Sequence, residues 1–448
     1  MQYKAVLYCI AYHVMSSIWT DTSELPKFES LKKDIKTEVL IIGGGMAGIL
    51  CAYMLDRAGV DYVLVEADRI CSGVTKNTTA KITSQHGLIY AKLVRRFGRE
   101  KAQLYLRANE EALNNFRAIC RNIECDFEEK DSYVYSRSSR KKIEDEIKAL
   151  DRIGFHAEFT DQLPMPFTVA GAVKFSEQAQ FHPLKFLSAI AQNLHIYEQT
   201  VVREMVRGTV MSDYAKIKAN HIIATTHFPF INKHGSYFLK LYQDRSYVLA
   251  LTEAPNVHGI YVDEADKGLS FRNYKNQLLL GGGSHRTGKS GGCWQELRDF
   301  ARQYYPGAKE TYCWSAQDCM TLDRVPYIGR YSASTENFYV ASGFNKWGMT
   351  SSMVAAMILS DSVQGRTNQY APVFSPSRTM LRPQLAINAF EAVVHLLSFS
   401  KRRCPHMGCA LKWNAPEHSW DCPCHGSRFS EDGKLIDNPA TGDFKIKK

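Results

Sequence analysis

The stretch Val39–Glu66, VLIIGGGMAGILCAYMLDRAGVDYVLVE, decides the fold. Val39–Ile42 is a β-branched and leucine run suited to a buried parallel strand. Gly43–Gly48 reads as a turn. Ile49, Leu50, Ala52 and Leu55 then recur at helical spacing up to Gly59, a helix stop. Tyr62–Val65 reads as the next strand, which completes one βαβ unit. The turn, Gly43-Gly44-Gly45-Met46-Ala47-Gly48, matches G-x-G-x-x-G. In that pattern Gly43 permits the tight turn, Gly45 lets a pyrophosphate approach the backbone, and Gly48 lets the helix pack closely on the strand. The helix N-terminus presents free N–H groups to phosphates. Glu66, at the end of the second strand, can hydrogen-bond a ribose diol. A merely glycine-rich turn is the bland alternative. The motif does not choose between FAD and NAD. Gly281-Gly282-Gly283 also follows a strand, but Arg286 stands where the third glycine would be. It reads as a structural turn, leaving one dinucleotide site.

The rest of the chain is ordinary globular sequence. It has 448 residues, 45% hydrophobic and 23% charged, which excludes disorder, collagen and a small disulfide scaffold. At roughly 150 residues per domain, about three domains are expected. The net charge of +10 comes without dense Lys/Arg interleaved with aromatics, so nucleic acid is not an expected partner. No run of about 18 apolar residues occurs, so no membrane span is expected. Ala5–Met15 is short, contains His13 and lacks an Ala-x-Ala site, which argues against a signal peptide. The expectation is a cytoplasmic protein whose translation begins at Met15, with Met1–Val14 as an upstream extension. Arg99–Cys120, His182–Leu194 and Leu385–Phe399 read as helices. Ile222–Thr226, Tyr247–Leu251, Leu278–Leu280 and Phe338–Ala341 read as strands, and the basic run Arg137–Lys142 as a solvated loop.

Several separated motifs make a resemblance specific. They are VLIIGGGMAG…VLVEADRICSGVT, TTAKITSQHG, AQFHPLKF, IIATTHFP and ASGFNKWGMT. The chain resembles the FAD-dependent oxidoreductases of the D-amino-acid/glycine oxidase (DAO) superfamily over roughly residues 37–370. The resemblance implies an α/β fold: a Rossmann-like FAD-binding domain interleaved with an α+β substrate domain on a mixed sheet. Its FAD-binding segments would be about 37–90, 170–230 and 315–370, and its substrate segments about 91–169 and 231–314. Residues 1–36 would be an N-terminal extension, and the flavoprotein unit would run over 37–375. The resemblance also implies that Gly43, Gly45, Met46 and Ala47 hold the pyrophosphate and Glu66 the AMP ribose. Thr75, Thr78 and Thr79 would lie near the flavin, and the Val202 backbone would face the adenine. Gly343 and Gly348, Met349 and Thr350 would return to the isoalloxazine at a helix N-terminus, whose positive end favours negative charge on reduced flavin.

Twelve cysteines are too sparse for a secreted disulfide protein, but four fall between Cys404 and Cys424. Cys404-Pro-His406-Met-Gly-Cys409 precedes Trp420-Asp-Cys422-Pro-Cys424-His425-Gly-Ser427. Two Cys and two His could satisfy a tetrahedral zinc site, which would leave Cys409 and Cys424 without a role. The wording resembles a Rieske [2Fe–2S] site, in which two Cys hold one iron and two His the other. The resemblance implies Cys404 and Cys422 on one iron and His406 and His425 on the second. It also implies a Cys409–Cys424 disulfide tying the two loops, and a Ser427 hydroxyl donated to a cluster sulfide. Residues 376–400 would be a helical linker and 401–448 a small all-β Rieske module. Only this last stretch resembles that family, so much of the usual base sheet is expected to be missing.

The candidate catalytic residues are Lys346 and Trp347, inside the flavin-facing segment, with Arg272 and His285. Arg245 and Arg286 are further guanidinium groups able to clamp a substrate carboxylate, and His182 is a further imidazole. The implied function is oxidation of an amine or amino-acid-like substrate at FAD, with electrons passing singly through the cluster. The partners would be a small-molecule substrate and a one-electron carrier protein or quinone-like acceptor or donor. Two alternatives stand beside it: an oxygen-using oxidase with a vestigial cluster module, and an electron-transfer or redox-responsive protein with no organic substrate. Phe429 stands where high-potential Rieske members carry a Tyr donating to a ligand sulfur, and phenylalanine has no donor. The cluster potential is therefore expected in the middle of the range of roughly −150 to +300 mV; a potentiometric titration placing it at the top would contradict this.

Overall fold

The computed structural model describes residues 16–206, 208–231 and 234–445. The expected start at Met15 and the extension Met1–Val14 lie outside the described residues. The first sheet grows from the glycine-turn unit. Its strand order is Tyr327–Arg330, Phe338–Ser342, Lys216–Ala224, Ile35–Ile42, Tyr62–Val65 and Ile196–Tyr197. The four pairings from Phe338–Ser342 to Ile196–Tyr197 are parallel. Parallel strands need both faces covered, and Val39–Ile42 are buried accordingly. The helix Met46–Arg57 follows directly on the turn and packs Ile49, Leu50, Ala52 and Leu55 into the core. It ends where Gly59 adopts φ +68°, a left-handed C-terminal stop suited to glycine.

The second sheet is mixed and has nine strands among the described residues. Leu241–Thr252 is central to one half, pairing antiparallel with both Lys309–Thr321 and Gln277–Arg286. Gly171–Gln180 also belongs to this sheet, paired with Glu128–Ser136. Most of the expected elements appear where the periodicity puts them, the helix Arg99–Cys120 among them. Two expectations need correction. Gly281–Gly283 is no turn but the middle of the strand Gln277–Arg286. The glycines are there for close approach: a Cβ on Gly281 would lie 2.6 Å from Ser270 Oγ, and one on Gly283 would lie 2.2 Å from the Cys293 carbonyl oxygen. Gly283 has φ +61° beside a register shift opposite Arg245 and Tyr247, a bulge that uses glycine's left-handed freedom. Arg140–Lys142, in the basic run, form the first turn of the helix Arg140–Arg152, capped by Ser139 accepting from the Lys142 N–H.

The third sheet is a four-stranded antiparallel meander over Lys412–Asn414, Ser419–Asp421, Arg428–Ser430 and Leu435–Asp437. Its small core contains Cys404, Leu411, Cys422, Phe429 and Phe444. The helix Pro383–Leu397 leads into it. Ahead of the first sheet, Ile18, Trp19 and Leu31 pack inside the protein, so residues 16–31 contribute to its core. Trp19 is fully buried against Tyr274 and His182, and its Nε1 donates to the Thr78 carbonyl over 2.7 Å. Trp19→Ala should destabilise the protein by about 3–5 kcal/mol, the usual cost of deleting a buried indole; a chemical-denaturation midpoint unchanged from wild type would refute this.

Candidate functional site

The glycine turn forms a cradle that side chains would fill. A Cβ on Gly43, where φ is +111°, would lie 2.9 Å from the Thr225 carbonyl oxygen. A Cβ on Gly48 would lie 1.9 Å from the Gly43 carbonyl oxygen, so no other residue fits there. Thr225 closes the turn from the neighbouring strand, its Oγ1 donating to Ile42 O and Gly43 O over 3.0 and 2.9 Å. The cavity above it measures about 1120 Å³ and is lined by Gly43, Gly45, Met46, Ala47, Glu66 and Val202. Thr75, Thr78 and Thr79 line it further along. Thr75 Oγ1 accepts from the Met46 N–H over 3.1 Å, which fixes the first helical turn. Glu66 accepts from the Gly44 N–H over 2.6 Å and the Asp68 N–H over 3.0 Å; desolvation pushes its carboxyl above the usual range. The loop carrying the threonines is propped by two indoles, Trp19 on the Thr78 carbonyl and Trp314 on the Asn77 carbonyl.

The other end of the cavity is a strained turn. Asn345 and Lys346 have φ +52° and +73°, left-handed conformations rare outside glycine. They follow Gly343, φ +73°, and precede the helix Gly348–Val363. Gly343, Lys346, Trp347, Gly348 and Met349 line the cavity. Thr350 is turned inward, its Oγ1 bonded to the Thr83 carbonyl and to His86 Nε2. Trp347 stacks on His86 with ring centroids 5.0 Å apart. Lys346 Nζ donates to Ser284 Oγ over 3.2 Å.

Of the remaining sequence candidates, Arg245 lines the same cavity, whereas Arg272, His285, His182 and Arg286 do not. Arg272 is buried beneath the wall, donating to the Ala80 carbonyl and lying over the Trp19 ring. His285 shares hydrogen bonds with Tyr247 Oη and the Arg286 carbonyl and is absent from the cavity lining. His182 caps the helix Pro183–Ala191, accepting from the Lys185 N–H. Arg245 is already paired with Glu417, and Arg286 donates to the Pro423 carbonyl, so both are spent on the cysteine-rich module. Sequence reasoning missed Lys81 and Asp318, two charged residues that do line the cavity. Lys81 Nζ bonds Thr79 Oγ1, and burial lowers its pKa to about 7. Burial raises that of Asp318, whose carboxylate accepts from Ser246 Oγ. The Lys81 position inside the TTAKITSQHG motif was the available signal; Asp318 has none nearby.

In the third sheet the two loops bring Cys404, His406, Cys422 and His425 together. The Cys404 and Cys422 thiols are both free and buried, and their contact lowers the pKa of Cys404 to about 7. The His406 and His425 rings lie 4.9 Å apart. Burial lowers their pKa values to about 4 and about 3, keeping both imidazoles neutral, as metal ligation requires. His425 Nδ1 is buried with no hydrogen-bond partner, the expected state of a nitrogen reserved for a metal. Cys409 and Cys424 form a disulfide that joins the loops. Two thiols and two imidazoles with a separate disulfide fit a mixed-ligand [2Fe–2S] cluster, and the glycine cradle fits a dinucleotide pyrophosphate.

Cradle and cluster site together define a flavoprotein oxidoreductase with an iron–sulfur module of its own. Residues 38–362 match the DAO model, FAD dependent oxidoreductase, and residues 392–447 match the Rieske [2Fe-2S] domain. The chain belongs to the DAO family of FAD-dependent oxidoreductases and carries a C-terminal Rieske domain, and its cofactors are FAD and a Rieske [2Fe–2S] cluster. The Rieske match starts at residue 392, inside the helix Pro383–Leu397 and ahead of the boundary read from the sequence. Bacillus subtilis (strain 168) YhfW, which is named as a Rieske 2Fe-2S iron–sulfur protein, is 35% identical over 490 aligned residues, covering 95% of this chain and 96% of that one. That alignment is longer than this 448-residue chain, so the relative carries residues with no counterpart here. Gamma-glutamylputrescine oxidoreductase of Escherichia coli (strain K12) is 21% identical over 80% of this chain and 91% of its own. Among solved structures, L-proline dehydrogenase from P. horikoshii superposes with a TM-score of 0.64 at 15% identity, over 77% of this chain and 98% of that one. Glycine oxidase from Geobacillus kaustophilus gives 0.63 at 17%, over 77% and 99%. At such identities the structural likeness is one of fold. Gly48→Val should leave purified protein without bound flavin, because the added side chain collides with the Gly43 carbonyl; retention of the flavin absorption bands at wild-type ratio would contradict this.

Proposed function

We propose that this chain oxidises an amine or amino-acid-like substrate at the flavin and passes the electrons singly through the Rieske cluster to a one-electron carrier protein or a quinone-like acceptor, in the cytoplasm. The observation that carries the reading is the seating of the cluster loop on the flavin unit: Gln243 Nε2 donates to the His425 carbonyl over 3.0 Å, and Gln317 Nε2 to the Gly426 carbonyl over 2.8 Å. A module held only by a flexible tether would not share buried hydrogen bonds with the strands that wall the cavity. When bound, the flavin accepts a hydride and the cluster accepts one electron at a time, so the pair converts a two-electron oxidation into single steps.

The names of the relatives support the substrate class: one acts on gamma-glutamylputrescine, and the structural neighbours on L-proline and glycine. This chain's own residues support it too. Asp318 offers a carboxylate to a substrate cation, while Trp347 and His86 form an aromatic wall. Arg245 is occupied by Glu417, so it does not serve as a carboxylate clamp. No helix among the described residues is long and apolar enough to cross a membrane, and the seven free described cysteines outside the cluster module suit a reducing compartment. In anaerobic stopped-flow spectra with an amine panel, the cluster should bleach after the flavin. A cluster that stays oxidised while the flavin turns over, with peroxide formed at the flavin rate, would select the oxygen-using oxidase instead.

A further inference from the structure

We propose that the cluster module is locked in one position on the flavin unit, and that Gln243 and Gln317 are the positioning residues that set it, with His425 as the inner cluster ligand and His406 as the outer one. This rests on the flavin-to-cluster reading above. The strands Leu241–Thr252 and Lys309–Thr321 pair with Gln243 opposite Cys319, Asp244 opposite Asp318 and Arg245 opposite Gln317. Alternate residues of a strand point to opposite faces. On one face, Ser246 Oγ bonds Asp318 and Ser284, and Ser284 bonds Lys346 of the flavin-facing turn. On the other, Gln243, Arg245, Ser315 and Gln317 meet the module. One pair of strands therefore carries the contacts to the flavin-facing turn and those to the cluster loop, and Arg245, Gln317 and Glu417 of the second set line the same cavity.

The nitrogen and the oxygen of both glutamine amides are each hydrogen-bonded. Gln243 Oε1 shares a hydrogen bond with His227 Nε2 over 3.0 Å, and Gln317 Oε1 accepts from Thr287 Oγ1 over 3.1 Å. Neither side chain reaches solvent, at 1% and 4% exposure. The ligand loop has no side-chain spacer where it lands. A Cβ on Gly426, φ +86°, would lie 2.7 Å from Gln243, and one on Gly288 would lie 2.6 Å from Pro423. His227 continues the route inward, because its carbonyl accepts from Ser342 Oγ, the residue before Gly343. The unbroken contact order is Ser342, His227, Gln243, His425. On the far side of the cluster, Pro405 and Met407 are exposed on either side of His406.

A second anchor fixes the module's orientation. Glu417, on the hairpin between two strands of the meander, is buried between the two units. It accepts from Arg245 Nε over 3.0 Å and again from Arg245 Nη2, from Tyr247 Oη and Ser315 Oγ over 2.8 Å each, and from Arg428 Nη2 over 2.8 Å. Asn414 Nδ2 is a sixth donor, over 3.2 Å, and a carboxylate so surrounded in a desolvated site has one geometry. Two single-electron transfers through the locked contact clear the pair left by one substrate molecule, and the external carrier removes each electron in turn.

The test uses the full-length holoprotein. Flash photoreduction of the flavin, with EDTA as donor, is followed by the rise of reduced-cluster absorbance in buffers of rising glycerol content. Wild type should show a transfer rate independent of viscosity and slow amide exchange across Cys422–Arg428. Gln243→Met with Gln317→Met should keep the flavin absorption and the cluster EPR signal but slow the transfer at least tenfold and make it viscosity-dependent. Glu417→Gln should speed amide exchange across the same loop at least tenfold. A viscosity-dependent rate or freely exchanging loop amides in wild type would overturn the lock whatever the variants do. So would wild-type transfer in the double variant with both cofactors loaded. Wild type without any [2Fe–2S] EPR signal would instead overturn the functional reading on which this rests.

Discussion

The first structural constraint is a contact that admits no side chain. The Gly43 carbonyl oxygen lies 1.9 Å from where a Cβ on Gly48 would stand, so the helix Met46–Arg57 starts directly against the end of the strand Ile35–Ile42. That approach aims the helix N-terminus at the space above the sheet, where its unpaired N–H groups and dipole favour a pyrophosphate. The supporting parts converge on the same point. Thr225 closes the turn from the adjacent strand, Thr75 caps the helix from a later loop, and Glu66 holds the Gly44 N–H. The loop of Thr78 is in turn propped by Trp19, contributed from ahead of the first strand.

The second sheet serves two sites with one pair of strands. One set of alternate residues supplies Ser246 and Asp318 to the cavity, while the other holds the iron–sulfur module through Gln243, Arg245 and Gln317, of which Arg245 and Gln317 also reach the cavity. Buried polar groups and charges of this kind cost desolvation and contribute little net stability, but they specify one arrangement. That arrangement makes physical sense of a short module. The meander has four strands and a small core, and the flavin unit covers the face that carries its ligand loop. Two groups that looked like substrate-binding cations, Arg245 and Arg286, are instead the joints of this interface.

Much of the chemistry was legible before any fold. The dinucleotide cradle and the cluster ligands are built from short runs, the glycine turn and the two cysteine–histidine loops, and each run needs residue types that few others can replace. Glycine is demanded by backbone approach at Gly43 and Gly48. Thiol and imidazole are the types a Rieske cluster requires, and Cys404, His406, Cys422 and His425 supply them in two short runs. Strands and helices with strong periodicity, such as Arg99–Cys120, were legible for the same reason. Glycine-rich strand and glycine-rich turn look alike in one dimension, and so Gly281–Gly283 misled: whether a missing Cβ serves a bend or a close neighbour depends on Ser270 and Cys293, which belong to the adjacent strand and to the start of the next helix.

The amino-acid sequence by itself determined which cofactors this chain can hold, because those sites are built from short segments with inflexible chemical requirements. Only the tertiary structure decided which charged residues of the cavity are paired with the module and which are left to the flavin-facing turn. Arg245 meets Glu417 across 172 residues, and Lys346 meets Ser284 across 62. Which face of a strand a side chain occupies follows from register, and register is set by partners that no local pattern names.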